Sequence, residues 1–195
     1  MPLTPLDLRG ADVAMDPTWL SPDEASALFD ALYAGIAWET HRIRLFGREV
    51  DSPRLSCWIG DPGASYTYSG TRFEPRPWPP ALLPIRARLQ AEFGVDFNSV
   101  LANLYRDGRD RMGWHADNER ELGAHPVIAS LSLGATRRFV FRHRFAPSWK
   151  RELSLGHGSL LLMAGETQAN HRHTLPATSR SVGPRINLTF RRITA

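Results

Sequence analysis

Seven residues near the end of this chain, Arg185-Ile186-Asn187-Leu188-Thr189-Phe190-Arg191, alternate without a break between polar and apolar side chains. Successive side chains of a β-strand point to opposite faces. A strand here therefore puts two arginines, an asparagine and a threonine on one face and three apolar residues on the other. The apolar face needs a hydrophobic layer beneath it. The polar face allows two architectures: a solvated strand lying over that layer, or one wall of a closed barrel with a polar interior. In the second case the arginines need anionic partners, because unpaired buried charge is costly. A dicarboxylate gripped by a guanidinium fork supplies one.

The surroundings are rich in strand signals. From residue 99 onward, short runs at 99–105, 127–133, 138–143, 159–163 and 185–191 are separated by glycine, proline and polar turns. Several short strands at this spacing suit a barrel or jelly roll. Upstream, Ser21-Pro22-Asp23-Glu24 combines an N-cap serine, a proline at the first helical position and a capping-box glutamate. Ala25, Leu28, Phe29 and Leu32 then share one helical face. A second helix is expected after Pro79-Pro80, with Leu82, Ile85, Leu89 and Phe93 inward and Gly94 ending it. Between the two, residues 42–69 alternate and turn as hairpins do. The expected order is one domain over 1–195, with helices and hairpins in 1–98 and a β-core in 99–195.

Basic residues outnumber acidic ones only 24 to 20, yet the sequence pI is about 9.8, and Lys150 is the single lysine. Arginine suits bidentate contact with phosphate and carboxylate. It also accumulates through codon bias, so charge alone leaves a nucleic-acid partner open. The single cysteine, Cys57, excludes an internal disulfide and a cysteine-rich zinc site. No apolar run approaches the ~20 residues needed to cross a bilayer. The opening Met1-Pro2-Leu3-Thr4-Pro5 lacks the basic end and apolar stretch of a signal peptide. The expected setting is reducing and intracellular, away from any membrane.

His115-Ala116-Asp117 offers two metal ligands two residues apart, on one face of an extended segment. A third imidazole is available at His171 or His173. Two histidines and a carboxylate form the facial triad of non-haem iron oxygenases, which leaves coordination positions open for a cosubstrate and oxygen. Alone, His-x-Asp is a common chance pair in solvated turns, and the same three ligands also suit a zinc hydrolase. Hydrolysis, however, gives the paired arginines no role. His41, His125, His143 and His157 lack partners at ligand spacing and read as surface or structural residues. In the stretch 101–105, Asn103 and Tyr105 share a strand face and could hydrogen-bond the same anion as the arginines.

Taken together, Asn103-x-Tyr105, His115-x-Asp117, His173 and Arg185-x-Asn187-x-Thr189-x-Arg191 resemble, in order, the motifs of the AlkB family of iron and 2-oxoglutarate dioxygenases. The resemblance runs from about residue 42 to 192. It is strongest in DNERELG (117–123), FVFRH (139–143), GHGSLL (156–161) and NLTFR (187–191), and closest to the vertebrate member that prefers double-stranded DNA. It implies an α+β, mainly β fold: a double-stranded β-helix (jelly roll) core, N-terminal helices packed outside it, and a nucleotide-recognition hairpin region.

The resemblance also implies roles. His115, Asp117 and His173 would bind Fe(II), His173 rather than His171 because of the Thr174-Leu175-Pro176 that follows it. Arg185 would hold the distal carboxylate of 2-oxoglutarate, with Asn103, Tyr105, Asn187, Thr189 and Arg191 completing the cosubstrate site. Tyr66 and Tyr68 would line the base pocket, and the hairpin at Leu45-Phe46-Gly47-Arg48 would fill the gap left in a duplex by an extruded base. Asn118 stands where the closest members carry a second aspartate, which bears on substrate charge preference, and Glu119 is placed to compensate. The implied activity is oxidative demethylation of 1-methyladenine- and 3-methylcytosine-type bases in DNA, using O2 and 2-oxoglutarate and releasing succinate, CO2 and formaldehyde. RNA is the rival substrate, and a non-catalytic nucleic-acid binder the rival function. Arg137, Arg138, Arg142 and Arg144 form a candidate phosphate-binding hairpin. The expected state is a monomer acting on alkylated DNA, cytoplasmic and nucleoid-associated in a bacterium or nuclear in a eukaryote.

Overall fold

A computed structural model describes residues 3–45, 48–68 and 71–194; the side chains of 43–45, 48–49, 66–68 and 71–73 are outside that description. In chain order, the elements begin with β1 (Thr4–Pro5), β2 (Asp12–Asp16), α1 (Pro22–Gly35), β3 (Arg42–Leu45) and β4 (Arg48–Asp51). Next come β5 (Leu55–Gly60), β6 (Tyr66–Tyr68), β7 (Thr71–Phe73), a 3-10 turn at Pro80–Leu82 and α2 (Leu83–Phe93). The remainder is β8 (Ser99–Tyr105), β9 (Met112–His115), β10 (Ile128–Gly134), β11 (Arg137–His143), β12 (Lys150–Leu155), β13 (Leu160–Ala164), α3 (Thr167–Asn170), β14 (His171–Leu175) and β15 (Arg185–Arg191).

Two antiparallel sheets carry the fold: a major one in the order β1-β2-β13-β10-β15-β8-β5 and a minor one in the order β12-β11-β14-β9. The hairpins β3-β4 and β6-β7 stand apart as two-stranded ribbons. Alternation explains how the major sheet serves two layers. Val100, Ala102 and Leu104 of β8, Leu131 and Leu133 of β10, and Ile186, Leu188 and Phe190 of β15 are all buried in one cluster with Leu28 and Leu32 of α1 and Leu89 of α2. Burial of each large apolar side chain contributes roughly 1.5–3 kcal/mol, so this layer is the main stabilising one. On the other face, Tyr105, Ile128 and Met163 meet Phe139, Phe141, Leu155 and Leu175 of the minor sheet. The polar residues of β15 lie between the sheets.

The helix signals read from the sequence are present. Ser21 Oγ accepts from the Glu24 backbone N–H at 3.3 Å and Glu24 Oε2 accepts from the Ser21 N–H at 2.9 Å. Gly94 ends α2 with φ +65°, a left-handed conformation glycine adopts freely. The expected boundary at residue 99 is corrected, because β1, β2 and β5 belong to the major sheet. β9, β12 and β14 add to the five expected strands: β12 is an edge strand carrying Lys150, Arg151 and Glu152, and β14 buries His171, His173, Thr174 and Leu175 while Arg172 is exposed.

Gly134 makes the tight exchange from β10 to β11 with φ +82°; a Cβ there would lie 2.5 Å from the Pro184 carbonyl oxygen and 2.8 Å from Phe29 Cε2. Gly63 has φ +88° but open space around it. Gly63→Ala should therefore lose only the left-handed term, about 1–2 kcal/mol. Gly134→Ala should lose that and ~1–3 kcal/mol of overpacking besides. Urea denaturation of the two variants checks this; equal losses would show that the Phe29–Pro184 contact does not constrain the turn.

Candidate metal centre and cosubstrate cavity

The minor sheet assembles the metal site by register. His173 of β14 is paired across the ladder with His115 of β9, and the two rings sit 4.2 Å apart at 71°. Asp117 lies two residues beyond the end of β9, and its Oδ2 is 3.5 Å from His173 Nε2. One ligand atom from each of the three residues falls within 4.8 Å of the others, the one such group found among the described residues. His171, on the same face as His173, is instead packed against His143 at 5.0 Å and Phe141 at 6.4 Å, away from the group. The geometry thus separates two histidines that spacing alone leaves equivalent.

The protonation states suit a cation. Burial opposes ionisation of Asp117, but the Arg191 guanidinium, donating to Oδ1 at 2.5 Å, and the nearby imidazoles outweigh it and hold the carboxyl well below the usual range. Desolvation, reinforced by the neighbouring His173 imidazole, pushes His115 down, so its ring is neutral. Its Nδ1 is 2.9 Å from the Gly113 carbonyl, which can only accept; the proton is therefore on Nδ1 and the Nε2 lone pair is available.

Deeper between the sheets, the same cavity is walled by β8 and β15 and includes Asn103, Tyr105, Arg185, Asn187 and Thr189 with the triad. Arg185 is 1% exposed. Its NH2 donates to Ser132 Oγ at 2.9 Å, and the Tyr105 ring lies 5.3 Å from the guanidinium carbon. Its Nε and NH1 are buried and have no hydrogen-bond partner among the described residues. Burial pushes its pKa down to about 10, with Tyr105 opposing, so it remains a cation at neutral pH. Asn187 Nδ2 donates to Ser130 Oγ at 2.9 Å and to the Leu131 carbonyl at 3.1 Å, and Thr189 donates to Asn187 Oδ1 at 3.3 Å. A buried cation with two open donors in a cavity with a carboxylate and two imidazoles is a receptor for an anion beside a metal.

Comparison with known proteins agrees with this geometry. The family model for the 2OG-Fe(II) oxygenase superfamily matches residues 12–191. The chain belongs to this superfamily. The oxygenase is 42% identical over 180 residues to the DNA oxidative demethylase ALKBH2 of Homo sapiens, covering 87% of this chain and 69% of the relative. It is 39% identical over 197 residues to the Mus musculus ALKBH2, covering 95% and 82%, and 38% identical over 190 residues to the alpha-ketoglutarate-dependent dioxygenase alkB homolog 3 of Bos taurus, covering 93% and 66%. It spans 65% of the Bos taurus ALKBH2. These relatives place it among the AlkB-type members. The OsALKBH1 structure superposes with a TM-score of 0.66 at 16% identity over 98% of this chain and all of that one. A Pseudomonas putida prolyl-4-hydroxylase gives 0.59 at 17% identity over 93% of each. Both share the jelly-roll fold.

The remaining sequence expectations divide. Phe46 and Gly47 lie outside the described residues, as do the side chains of Arg48, Tyr66 and Tyr68, although the β3-β4 ribbon does pair Leu45 with Arg48. Asn118 is exposed beside Asp117 and Glu119 is half-buried. Arg137 is corrected: it is 2% exposed and donates to the carbonyls of Asp107, Asp110 and Pro176, so it ties loops together and is not available to phosphate. Arg138 pairs with Glu152, while Arg142 stacks over Trp114 at 4.2 Å. Two residues of the site escaped the sequence reading. Arg54, 5% exposed, donates from Nε to Asn103 Oδ1 at 2.7 Å, and Gln168 accepts from the Asp117 backbone; nothing in their local sequence signals either contact.

His115→Ala, Asp117→Ala and His173→Ala should each abolish stoichiometric iron binding and turnover, whereas His171→Ala should keep both. Anaerobic iron titration with succinate release as the companion assay checks this; a dead His171 variant would reverse the assignment.

Proposed function

We propose that this oxygenase removes N-methyl groups of the 1-methyladenine and 3-methylcytosine type from DNA by oxidation. The observation that carries the reading is the cavity itself, in which Arg185, with two open donors, faces into the same space as the His115–Asp117–His173 triad. The named relatives that demethylate DNA support the substrate class.

When bound, iron supplies oxygen activation coupled to decarboxylation of 2-oxoglutarate to succinate and CO2. The chain's own residues do the positioning. His115, Asp117 and His173 hold the metal, and Arg191 keeps Asp117 ionised and oriented. Arg185 grips the distal carboxylate, with Asn103, Tyr105, Asn187 and Thr189 along the same wall. The target base leaves the stack to reach this cavity, which costs a few kcal/mol and less where a methyl group already blocks pairing. Stacking on Tyr66 and Tyr68 would offset ~1–3 kcal/mol of it. Asn118 and Glu119, which follow Asp117 directly, would contact the base edge. The hydroxylated N-methyl group then leaves as formaldehyde, and the ring nitrogen recovers the base's normal protonation.

Outside the minor sheet, Lys150 and Arg172 flank Arg142 across the ladder, and these three cations have no carboxylate partner among the described residues. With exposed Trp114 they form a row suited to backbone phosphates, replacing the four-arginine hairpin expected from sequence. We read the acting species as a monomer, and a sizing column on the purified protein checks that. No helix among the described residues is long and apolar enough to cross a membrane. The reading places the protein with DNA, in the nucleoid or the nucleus.

The test is succinate and formaldehyde release with a 1-methyladenine oligonucleotide, its unmethylated twin and the RNA equivalent. Methyl-dependent formaldehyde release from DNA is expected; release from RNA alone would replace the substrate. On the same substrates, Phe46→Ala should impair repair of the duplex much more than of the single strand, because only a duplex leaves a hole for a wedge. Equal loss on both, at unchanged melting temperature, would remove Phe46 from that role.

A further inference from the structure

Asp117 is the one metal-site residue outside regular structure. β9 ends at His115, and the 3-10 turn that follows begins at Arg120. Its backbone N–H is buried, so it needs a partner supplied from elsewhere. That partner is the side-chain carbonyl of Gln168, at 3.0 Å and 51 residues away in sequence. Gln168 is 2% exposed, and among the described residues the one hydrogen-bond partner of its Nε2 is the Met163 thioether at 3.5 Å. A sulfur is a weak acceptor. Half of this amide is thus poorly satisfied in the interior, which is a poor choice for stability alone. The carbonyl half is the reason for a glutamine here.

Gln168 is also well placed to couple the two halves of the site. It belongs to α3, whose four residues run directly into β14 and so to His173. The β9-β14 ladder pairs His115 with His173, but β9 ends at His115, so the ladder does not extend to Asp117. α3 in turn is pinned to the N-terminal strand. Thr167 Oγ1 accepts from the Asp12 N–H at 2.9 Å and donates to the Asp12 carbonyl at 3.1 Å, and Asn170 donates to the Gly10 carbonyl at 2.9 Å. Asp12 opens β2, an interior strand of the major sheet.

We propose that Gln168 is a positioning residue for the metal site, fixing Asp117 through its backbone, and that strand β2 holds Gln168 in place through Thr167. The proposal rests on the metal reading above and extends it from the three ligands to a strand more than a hundred residues away in sequence. Partners of ligands commonly contribute 10- to 100-fold to metal affinity.

The experiment is titration of the anaerobic metal-free protein with Mn(II), with melting curves of each metal-free variant. Gln168→Met keeps length and apolar volume but removes the acceptor, and should weaken Mn(II) binding about 10- to 100-fold. Gln168→Glu keeps an acceptor oxygen and should return affinity to within a few-fold of wild type. Thr167→Val, which cuts the tie to Asp12 at nearly constant size, should lose several-fold by the same route. A purely structural role would lower the melting temperature and leave the affinity of the folded variants unchanged. Wild-type affinity in Gln168→Met overturns the proposal. Should that variant fail to fold, wild-type affinity in Thr167→Val overturns it. Wild-type protein that binds no Mn(II) would overturn the metal reading and this proposal with it, whereas a variant matching a wild type that does bind overturns this proposal alone.

Discussion

Arg185 stands on a central strand of the major sheet with almost no surface exposed, a positive charge, and two nitrogen donors that no described residue satisfies. Removing a charge from water is tolerated only with a partner. The rest of the interior is arranged around that need. Ser132 satisfies one nitrogen, the Tyr105 ring lies near the guanidinium, and Asn187 and Thr189 are held in a hydrogen-bonded row along the same face. Six residues further along the strand, Arg191 meets Asp117; in the proposed reading Arg185, the other arginine of the strand, takes an anion from outside the chain.

The supporting architecture follows from period two. Four strands of the major sheet, β8, β10, β13 and β15, give one face to the helical layer and the other to the cavity, so polar groups can line the interior without thinning the apolar core. The minor sheet contributes the imidazoles by cross-strand pairing and closes the other side with Phe139 and Phe141, which pack 5.2 and 5.9 Å from His173. Such packing fixes the ring's orientation before any metal binds. A metal site made in this way is largely preorganised, with Asp117 as the member that depends on a distant side chain.

Much of this was legible in the sequence where pattern and geometry share a period. β15 is legible to its ends because its alternation is strict, β8 as a short apolar run ending in Asn103-x-Tyr105, and the capping box and Gly94 mark the helices directly. β14 is hidden because two of the three residues on its inner face, His171 and His173, are histidines and only Leu175 is apolar. β12 was hidden because an edge strand can be charged throughout. Arg137 and Arg138 show the limit most sharply: they are neighbours of one residue type, and parity alone buries the first under three carbonyls and exposes the second. Arg54 and Gln168 act across 49 and 51 residues, and contacts of that range leave no local trace.

The central claim is that the open donors of Arg185 await the distal carboxylate of a 2-oxo diacid. The most direct measurement is anaerobic calorimetric titration of the Mn(II)-loaded protein with 2-oxoglutarate and with pyruvate, which has the same 2-oxo acid head and no distal carboxylate. Leaving a buried charge without its partner commonly costs at least about 2 kcal/mol, roughly a thirtyfold change in affinity. The account expects 2-oxoglutarate to bind at least that much more tightly, and the advantage to vanish in Arg185→Gln. Equal affinity for the two acids in the wild-type protein would contradict it.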